Sequence, residues 1–431
     1  MPEAPAIAAR VAALRGDLGE LSVVQRWWLV ALVVVMALPK ASNFSPGPTS
    51  YAFFLVVASL VAAAPWPMVR RGRRWTGLER AALALGAWLL VSTLWGRGER
   101  FDIALGATVL AVLTALLAWR VVAAVDDHDS VLRLVAWTAA AALAGTLVAA
   151  GPLTWMDHPR LIVLRPAMPI GGASSNAVGL LLVLAGLLVG VRRCPRPWFW
   201  WLLIGVDLLL VLQSLSRAGW LVVTVFGAIE LIRHSGRVAT GLAGAATVVV
   251  GGTVTLLMIR GPSVLVDPTR WDSYGRGLAT WGDGGPATLV LGRGAGTVWA
   301  WLSYELAHTD GPPDSYLRTT SWGELLYHPH SLPVGVLVER GLVGLTLLVL
   351  LMVLVVHRCL GVLRTQRDGT DTLALALLVG LPAMLVEYYL LRGFPSALLW
   401  WFVVWAVAAP VTRAASSEKP ERNAVAENVV S

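Results

Sequence analysis

Long apolar runs, each of about 20 residues and divided by short polar or Gly/Pro-rich connections, set the pattern of this chain. The runs are continuous rather than alternating, so each predicts a helix that crosses the hydrocarbon layer, not a strand of a membrane barrel. About 12 such spans are predicted, near residues 26–39, 50–68, 80–96, 103–119, 131–150, 172–191, 198–214, 218–233, 238–259, 333–356, 372–390 and 394–411. Between residues 260 and 332 the pattern fails. Gly, Pro, Asp, Ser and Thr become frequent there, and short helical pieces are predicted only around Tyr274–Trp281 and Gly296–Ala307. The expected organisation is an all-α polytopic membrane protein: helices in 1–259, one large loop region at 260–332, further helices in 333–411, and a disordered tail at 412–431. Residues 1–24 are mixed and amphipathic, with no small-residue cleavage site before the first span.

Composition sharpens this picture. Of 431 residues, 57% are hydrophobic and 14% charged. Soluble domains run nearer a quarter charged, so ordinary soluble domains are excluded, as are disorder and a disulfide scaffold. The two cysteines, Cys194 and Cys359, each lie beside a basic stretch and read as reduced thiols. A net charge of +8 would point to nucleic acid in a soluble protein; here its distribution is topological. With the N-terminus inside, 21 of the 34 basic residues fall on the inner face, among them Arg70, Arg71, Arg73, Arg74, Arg192, Arg193, Arg233, Arg358, Arg364 and Arg367. That is the positive-inside pattern, and it predicts both termini in the cytoplasm and the 260–332 loop on the outer face. A loop of this length in a helical bundle is more often functional than idle.

The same topology sorts the candidate chemistry. His128, His234 and His357 map inside, leaving His158, His308, His328 and His330 outside. His328 and His330 stand in Tyr327-His328-Pro329-His330-Ser331, directly before the tenth span. An imidazole titrates near neutral pH and suits general-base work on a hydroxyl; a helix-entry turn bonded to backbone is the structural alternative. A metal site is weakly signalled, because His-x-His here lacks a further ligand framework. Arginines left outside run against the charge bias. Arg217 sits in a tight Ser-Arg-Ala-Gly turn, Arg165 in a loop leading to Ser174-Ser175-Asn176, and Arg270, Arg276 and Arg293 in the long loop. Guanidinium groups at the membrane surface match a lipid-linked diphosphate, while snorkelling to headgroups is the bland role for any one of them. Leu291-Gly292-Arg293-Gly294-Ala295-Gly296 lacks a βαβ context and reads as a flexible turn. Tryptophans at span ends, such as Trp28, Trp198–Trp201 and Trp400-Trp401, read as interfacial anchors. Asp207 and Glu387 are intramembrane acids, candidates for proton coupling in a transporter.

Three places in order resemble the O-antigen ligase and O-antigen polymerase superfamily of bacterial inner-membrane glycosyltransferases. They are Ser214–Gly219, Ser273–Trp281 followed by Gly292–Gly296, and His330 followed by Glu339-Arg340-Gly341-Leu342-Val343-Gly344. The usual asparagine after the histidine is Ser331 here, and spacing to Gly341 favours His330 over His328 for the family's histidine. The resemblance implies a GT-C-like fold and metal-independent transfer of glycan from undecaprenyl diphosphate to an acceptor hydroxyl on the periplasmic face. It casts His330 (or His328) as general base and Arg217, Arg276, Arg165 and Arg293 as donor-binding, with no cofactor, no nucleotide sugar and no nucleic acid. A ligase would use lipid A–core as acceptor, a polymerase a second lipid-linked glycan. A lipid-linked oligosaccharide transporter is the alternative from another class.

Overall fold

The computed structural model describes residues 22–37, 75–96, 101–125, 127–156, 177–213, 216–235, 268–298, 317–320, 323–326, 331–386, 388–392 and 394–409, with a few isolated positions at 56–62 and 242–251. The helices are α1 (Val23–Ala37), α2 (Gly77–Thr93), α3 (Phe101–Ala123), α4 (His128–Met156), α5 (Ala177–Arg193), α6 (Pro197–Gln213) and α7 (Arg217–Ser235). The loop region contributes α8 (Pro268–Gly282), α9 (Gly285–Leu291) and a two-stranded hairpin, β1 (Leu317–Thr320) with β2 (Gly323–Leu326). The hairpin is antiparallel, with Leu317 opposite Leu326 and Thr320 opposite Gly323. Then follow α10 (Leu332–Thr365), α11 (Thr370–Gly380), a 3-10 turn at Leu381–Leu385, α12 (Tyr389–Arg392) and α13 (Phe394–Ala408).

Helices occupy most of the spans that the apolar runs predict. Three of them, over Ala104–Ala123, His128–Val148 and Leu332–Thr365, are long and apolar enough to cross a membrane, and the other apolar helices are shorter. The architecture is that of a helical membrane protein. Its outward faces agree: Val349, Leu350 and Val353 of α10 and Trp201, Leu202 and Leu209 of α6 are exposed, a surface water would not tolerate and lipid does. The predicted span 372–390 is not one helix. Pro382 lies in its middle, and the chain changes there from α11 to the 3-10 turn before restarting as α12. The spans predicted at 50–68 and 238–259 lie almost wholly outside the described residues.

Side-chain bonds fix which helix ends lie together. At one end, His128 at the start of α4 meets Asp368 (3.0 Å) and Thr370 (2.9 Å) of the α10–α11 corner. Arg193 at the end of α5 reaches Asp129 (3.1 Å), and Arg233 at the end of α7 reaches Asp371 (2.8 Å). Arg192 donates to Thr372 (2.6 Å) and lies 3.6 Å from Glu230. Arg358, near the end of α10, donates to the carbonyls of Val407 and Ala409 at the end of α13 (2.9 and 3.1 Å). Trp28 of α1 stands against Thr138 early in α4, and Met36 against Gly145 later in it, so these two helices run parallel. The first and last described helices therefore have Ser22 and Ala409 at this same, ion-paired end. All of these segments are ones that the basic-residue count places on a single side.

Several tryptophans expected at interfaces are in the core. Trp28 stacks on Phe402, and Trp200 and Trp400 are fully buried. An indole is large enough to fill the gap between helices when its ring meets other rings, as Trp137 and Trp200 do. Cys194 and Cys359 are buried, and neither is in a disulfide among the described residues.

Candidate functional site at the loop-bearing end

The polarity just described places the beginnings of α7 and α10 at the opposite end of the bundle from the ion pairs. That end carries α8, α9 and the glycine-rich turn, and its centre is a break in α10. Gly341 has φ 69° inside an otherwise continuous helix, a conformation open to glycine. The Glu339-Arg340-Gly341 run, inside the span predicted at 333–356, divides the helix: Leu332–Arg340 forms a short outer segment, and the helix resumes beyond Gly341.

A broken helix leaves carbonyls without their i+4 donors, and buried carbonyls need partners. The Gly292–Gly296 turn supplies them. Arg293 N–H donates to the Val338 carbonyl (3.0 Å) and Gly294 N–H to the Glu339 carbonyl (2.9 Å), while Gly296 N–H donates to Glu339 Oε1 (2.9 Å). Trp88 Nε1 donates to the Arg340 carbonyl (2.9 Å). The turn read as flexible is therefore docked backbone to backbone. A Cβ at Gly294 would overlap Gly96, so the glycines are there for close approach, not for a phosphate cradle.

Arg340 is the residue sequence reasoning passed over. It is 3% exposed. Its guanidinium donates to the Leu89 carbonyl (2.9 Å), Ser92 Oγ (2.9 Å) and Thr93 Oγ1 (2.8 Å) of α2, and to Thr108 Oγ1 (2.9 Å) of α3. The adjoining Glu339 is also fully buried and supplies the nearby opposite charge. The signal was an arginine inside an apolar run, which is costly without dedicated partners.

The expected donor-binding arginines distribute as follows. Arg293 turns its guanidinium back onto the Thr280 carbonyl through Nε (2.9 Å) and a second nitrogen. Arg276 is exposed one turn earlier on α8, and Thr280 Oγ1 donates to its carbonyl (2.8 Å). Arg293 is thus joined to the last turns of α8, the helix that carries Arg276. Arg217 is the first residue of α7 at the same end of the bundle, its helix packed against α5 and α11. Arg165, His328, His330 and Glu387 lie outside the described residues. The neighbour of His330, Ser331, is the N-cap of α10: its hydroxyl accepts from Val334 N–H at 3.4 Å, and Pro333 sits in the first turn. Asp207 is fully buried in α6, with no hydrogen-bond partner for either carboxylate oxygen among the described residues. Among those residues no group of three or more His, Cys, Asp or Glu is placed to hold a metal ion.

At the ion-paired end, burial acts to raise the Asp368 carboxyl. Hydrogen bonds from the His128 and Thr370 side chains and from the Thr370 N–H, with the His128 charge, outweigh it and hold the group well below the usual carboxylate range.

Comparison with known proteins gives one partial likeness. A stretch of 98 residues is 31% identical to the heme-binding subunit MsrQ of the protein-methionine-sulfoxide reductase from Bordetella pertussis, and equally to those of Bordetella parapertussis and Bordetella bronchiseptica. The match covers 22% of this chain and spans about half, 48%, of the length of each relative. No family model matches the chain.

Proposed function

We propose that this chain is a lipid-linked glycan transferase of the bacterial inner membrane. In this reading it is an O-antigen ligase that moves glycan from undecaprenyl diphosphate to a hydroxyl of lipid A–core on the periplasmic face. The ion-paired end is then cytoplasmic, with both termini, and the loop-bearing end periplasmic. The observation that supports the reading is the shared end of α7 and α10: Arg217 opens one helix, Ser331 caps the other directly after His330, and α8 with Arg276 and the turn with Arg293 belong to the layer packed against α10. Chemically, the arginines would neutralise the diphosphate and the charge developing on it as the anomeric carbon–oxygen bond breaks. His330 would take the proton of the acceptor hydroxyl as that oxygen attacks. An O-antigen polymerase would share every one of these groups and differ in acceptor.

The partial likeness to MsrQ favours a second reading, a heme-binding membrane subunit of a redox enzyme. Three histidines are described, and His128 and His234 each bond to a carboxylate. His128 and His234 belong to the ion-paired end, and His357 is exposed on α10.

Reconstitution tests both. Purified protein in liposomes with undecaprenyl diphosphate-linked glycan should extend lipid A–core, and His330→Ala should lower that transfer by about 10²-fold or more while donor binding persists. Extension of a second lipid-linked glycan instead identifies the polymerase. A Soret band in the purified protein with no transfer to either acceptor would replace the proposal by the redox reading.

A further inference from the structure

We infer that Arg340 is a positioning residue: its four hydrogen bonds to α2 and α3 set where the outer segment Leu332–Arg340 stands relative to the Arg293 turn. The inference rests on the proposed transfer reaction for its catalytic consequence, but its geometry is independent of it.

The break at Gly341 creates the need. A continuous α10 would hold its first turns in register through its own backbone bonds, as one rigid rod. With the rod broken, the outer segment is nine residues long, too short to keep a fixed direction by itself. Its position must come from what it touches. Two sets of contacts do so. The Gly292–Gly296 turn takes the Val338 and Glu339 carbonyls and one Glu339 carboxylate oxygen. The Arg340 fork spans two helices at once, with three acceptors on α2 and one on α3. A lysine carries its donors on one nitrogen at the end of a flexible stem and does not reproduce the planar fork that holds all four acceptors in one rotamer.

Burying this cation is expensive, and a merely stable core would use an apolar residue here. A cation bonded to four neutral oxygens contributes direction more than stability. Its partners are also local in sequence to functional geometry: Gly96, just past Ser92 and Thr93, is the residue against which Gly294 packs. The pin and the turn thus share one anchor, the end of α2. Moving Arg340 would shift the outer segment against the turn that carries Arg293. A displacement of about 1 Å in a reacting group costs on the order of 10²-fold in rate.

The test compares wild type, Arg340→Lys, Arg340→Met and Thr108→Val, the last removing a single acceptor and expected to fold in every case. Hydrogen–deuterium exchange in liposomes should rise in 331–341 for all three variants, least for Thr108→Val, with 342–365 unchanged. With lipid-linked glycan, kcat per folded molecule should fall about 10- to 100-fold in the Arg340 variants and less in Thr108→Val, while KM for donor holds. Unchanged exchange in 331–341 would overturn the pin. Raised exchange with unchanged kcat, or with the whole loss in KM, would overturn the positioning role. Should the wild type itself transfer no glycan to either acceptor, the transferase reading fails, and exchange alone decides whether Arg340 sets the segment.

Discussion

Gly341 and Val290 fit together as a break and its plug: a Cβ on Gly341 would overlap the Val290 carbonyl oxygen, and the glycine's φ of 69° suits no other residue well. Gly341→Ala should therefore be severe. That backbone conformation, φ 69° with ψ −173°, alone costs on the order of 1–3 kcal/mol for a residue with a Cβ, and the overlap adds to it. Loss of 2 kcal/mol or more is expected, read as a lowered thermal midpoint in detergent. Gly361→Ala, a helical glycine of α10 with open space around its Cβ position, is the control and should be neutral or stabilising by about 1 kcal/mol.

Asp371 concentrates the ion pairs at the other end. It is fully buried, accepts from Arg233 at 2.8 Å and from Gly369 N–H at 3.0 Å, and lies 3.9 Å from Arg192. Asp371→Ala leaves Arg233 facing other cations without its anion. Removing one partner of a buried pair costs about 3–5 kcal/mol, and the partial exposure of Arg233 reduces this to about 2–3. Arg233→Met in the same background should recover part of the loss. A double variant no more stable than Asp371→Ala would show that the pair is not coupled.

Much of this was legible in the chain. Apolar runs located most helices, and the basic residues grouped on one side the described helix ends that the structure brings together, because both depend on local composition. The break at Gly341 was not legible. The run from Leu332 to Thr365 reads as one helix on any hydropathy scale, and only the arrival of Val290 and Gly292 from 50 residues earlier explains the glycine. The same holds for the Gly292–Gly296 turn: its glycines announce freedom in sequence and deliver tight docking in three dimensions. Helix α9 and the β1–β2 hairpin were missed because four- to seven-residue elements carry too few positions to show a period. Of the candidate site, the arginines were found by their disagreement with the charge bias, whereas Arg340 was hidden inside a motif read for its glycines.

The corner around Asp368 should impose a pH dependence. Its folded-state carboxyl is held below the ordinary value, so its stabilising contribution is present above about pH 4, the unfolded range, and is lost as pH falls through the folded value. Wild type should exceed Asp368→Asn in thermal midpoint at pH 6–7. That margin should shrink steadily as pH drops below about 4. A margin that stayed constant from pH 7 to pH 3 would mean the carboxylate is not the group responsible.

Asp207 offers a test of coupling against packing. A buried carboxyl without hydrogen-bond partners, as Asp207 is among the described residues, costs roughly 1–3 kcal/mol, so Asp207→Leu should stabilise the bundle by an amount of that order if the acid has no task. Thermal midpoint and glycan transfer are measured together. A more stable protein with unchanged transfer would remove the case for proton-coupled transport. Stability gained with activity lost would instead mark Asp207 as functional.

Arg293 separates structure from chemistry within one side chain. Its guanidinium holds the Thr280 carbonyl, a joint between α8 and the glycine turn, and in the proposed reaction its charge also faces the diphosphate. Arg293→Gln keeps a donor for the carbonyl and removes the charge; Arg293→Ala removes both. If the charge binds donor, Arg293→Gln should keep the wild-type thermal midpoint to within a few degrees. It should still raise KM for lipid-linked glycan about 10-fold, the scale of one charge-assisted hydrogen bond. Arg293→Ala should show that kinetic loss together with a lower midpoint. Wild-type kinetics in Arg293→Gln would assign the arginine wholly to the joint, and donor binding would then fall to Arg217 and Arg276.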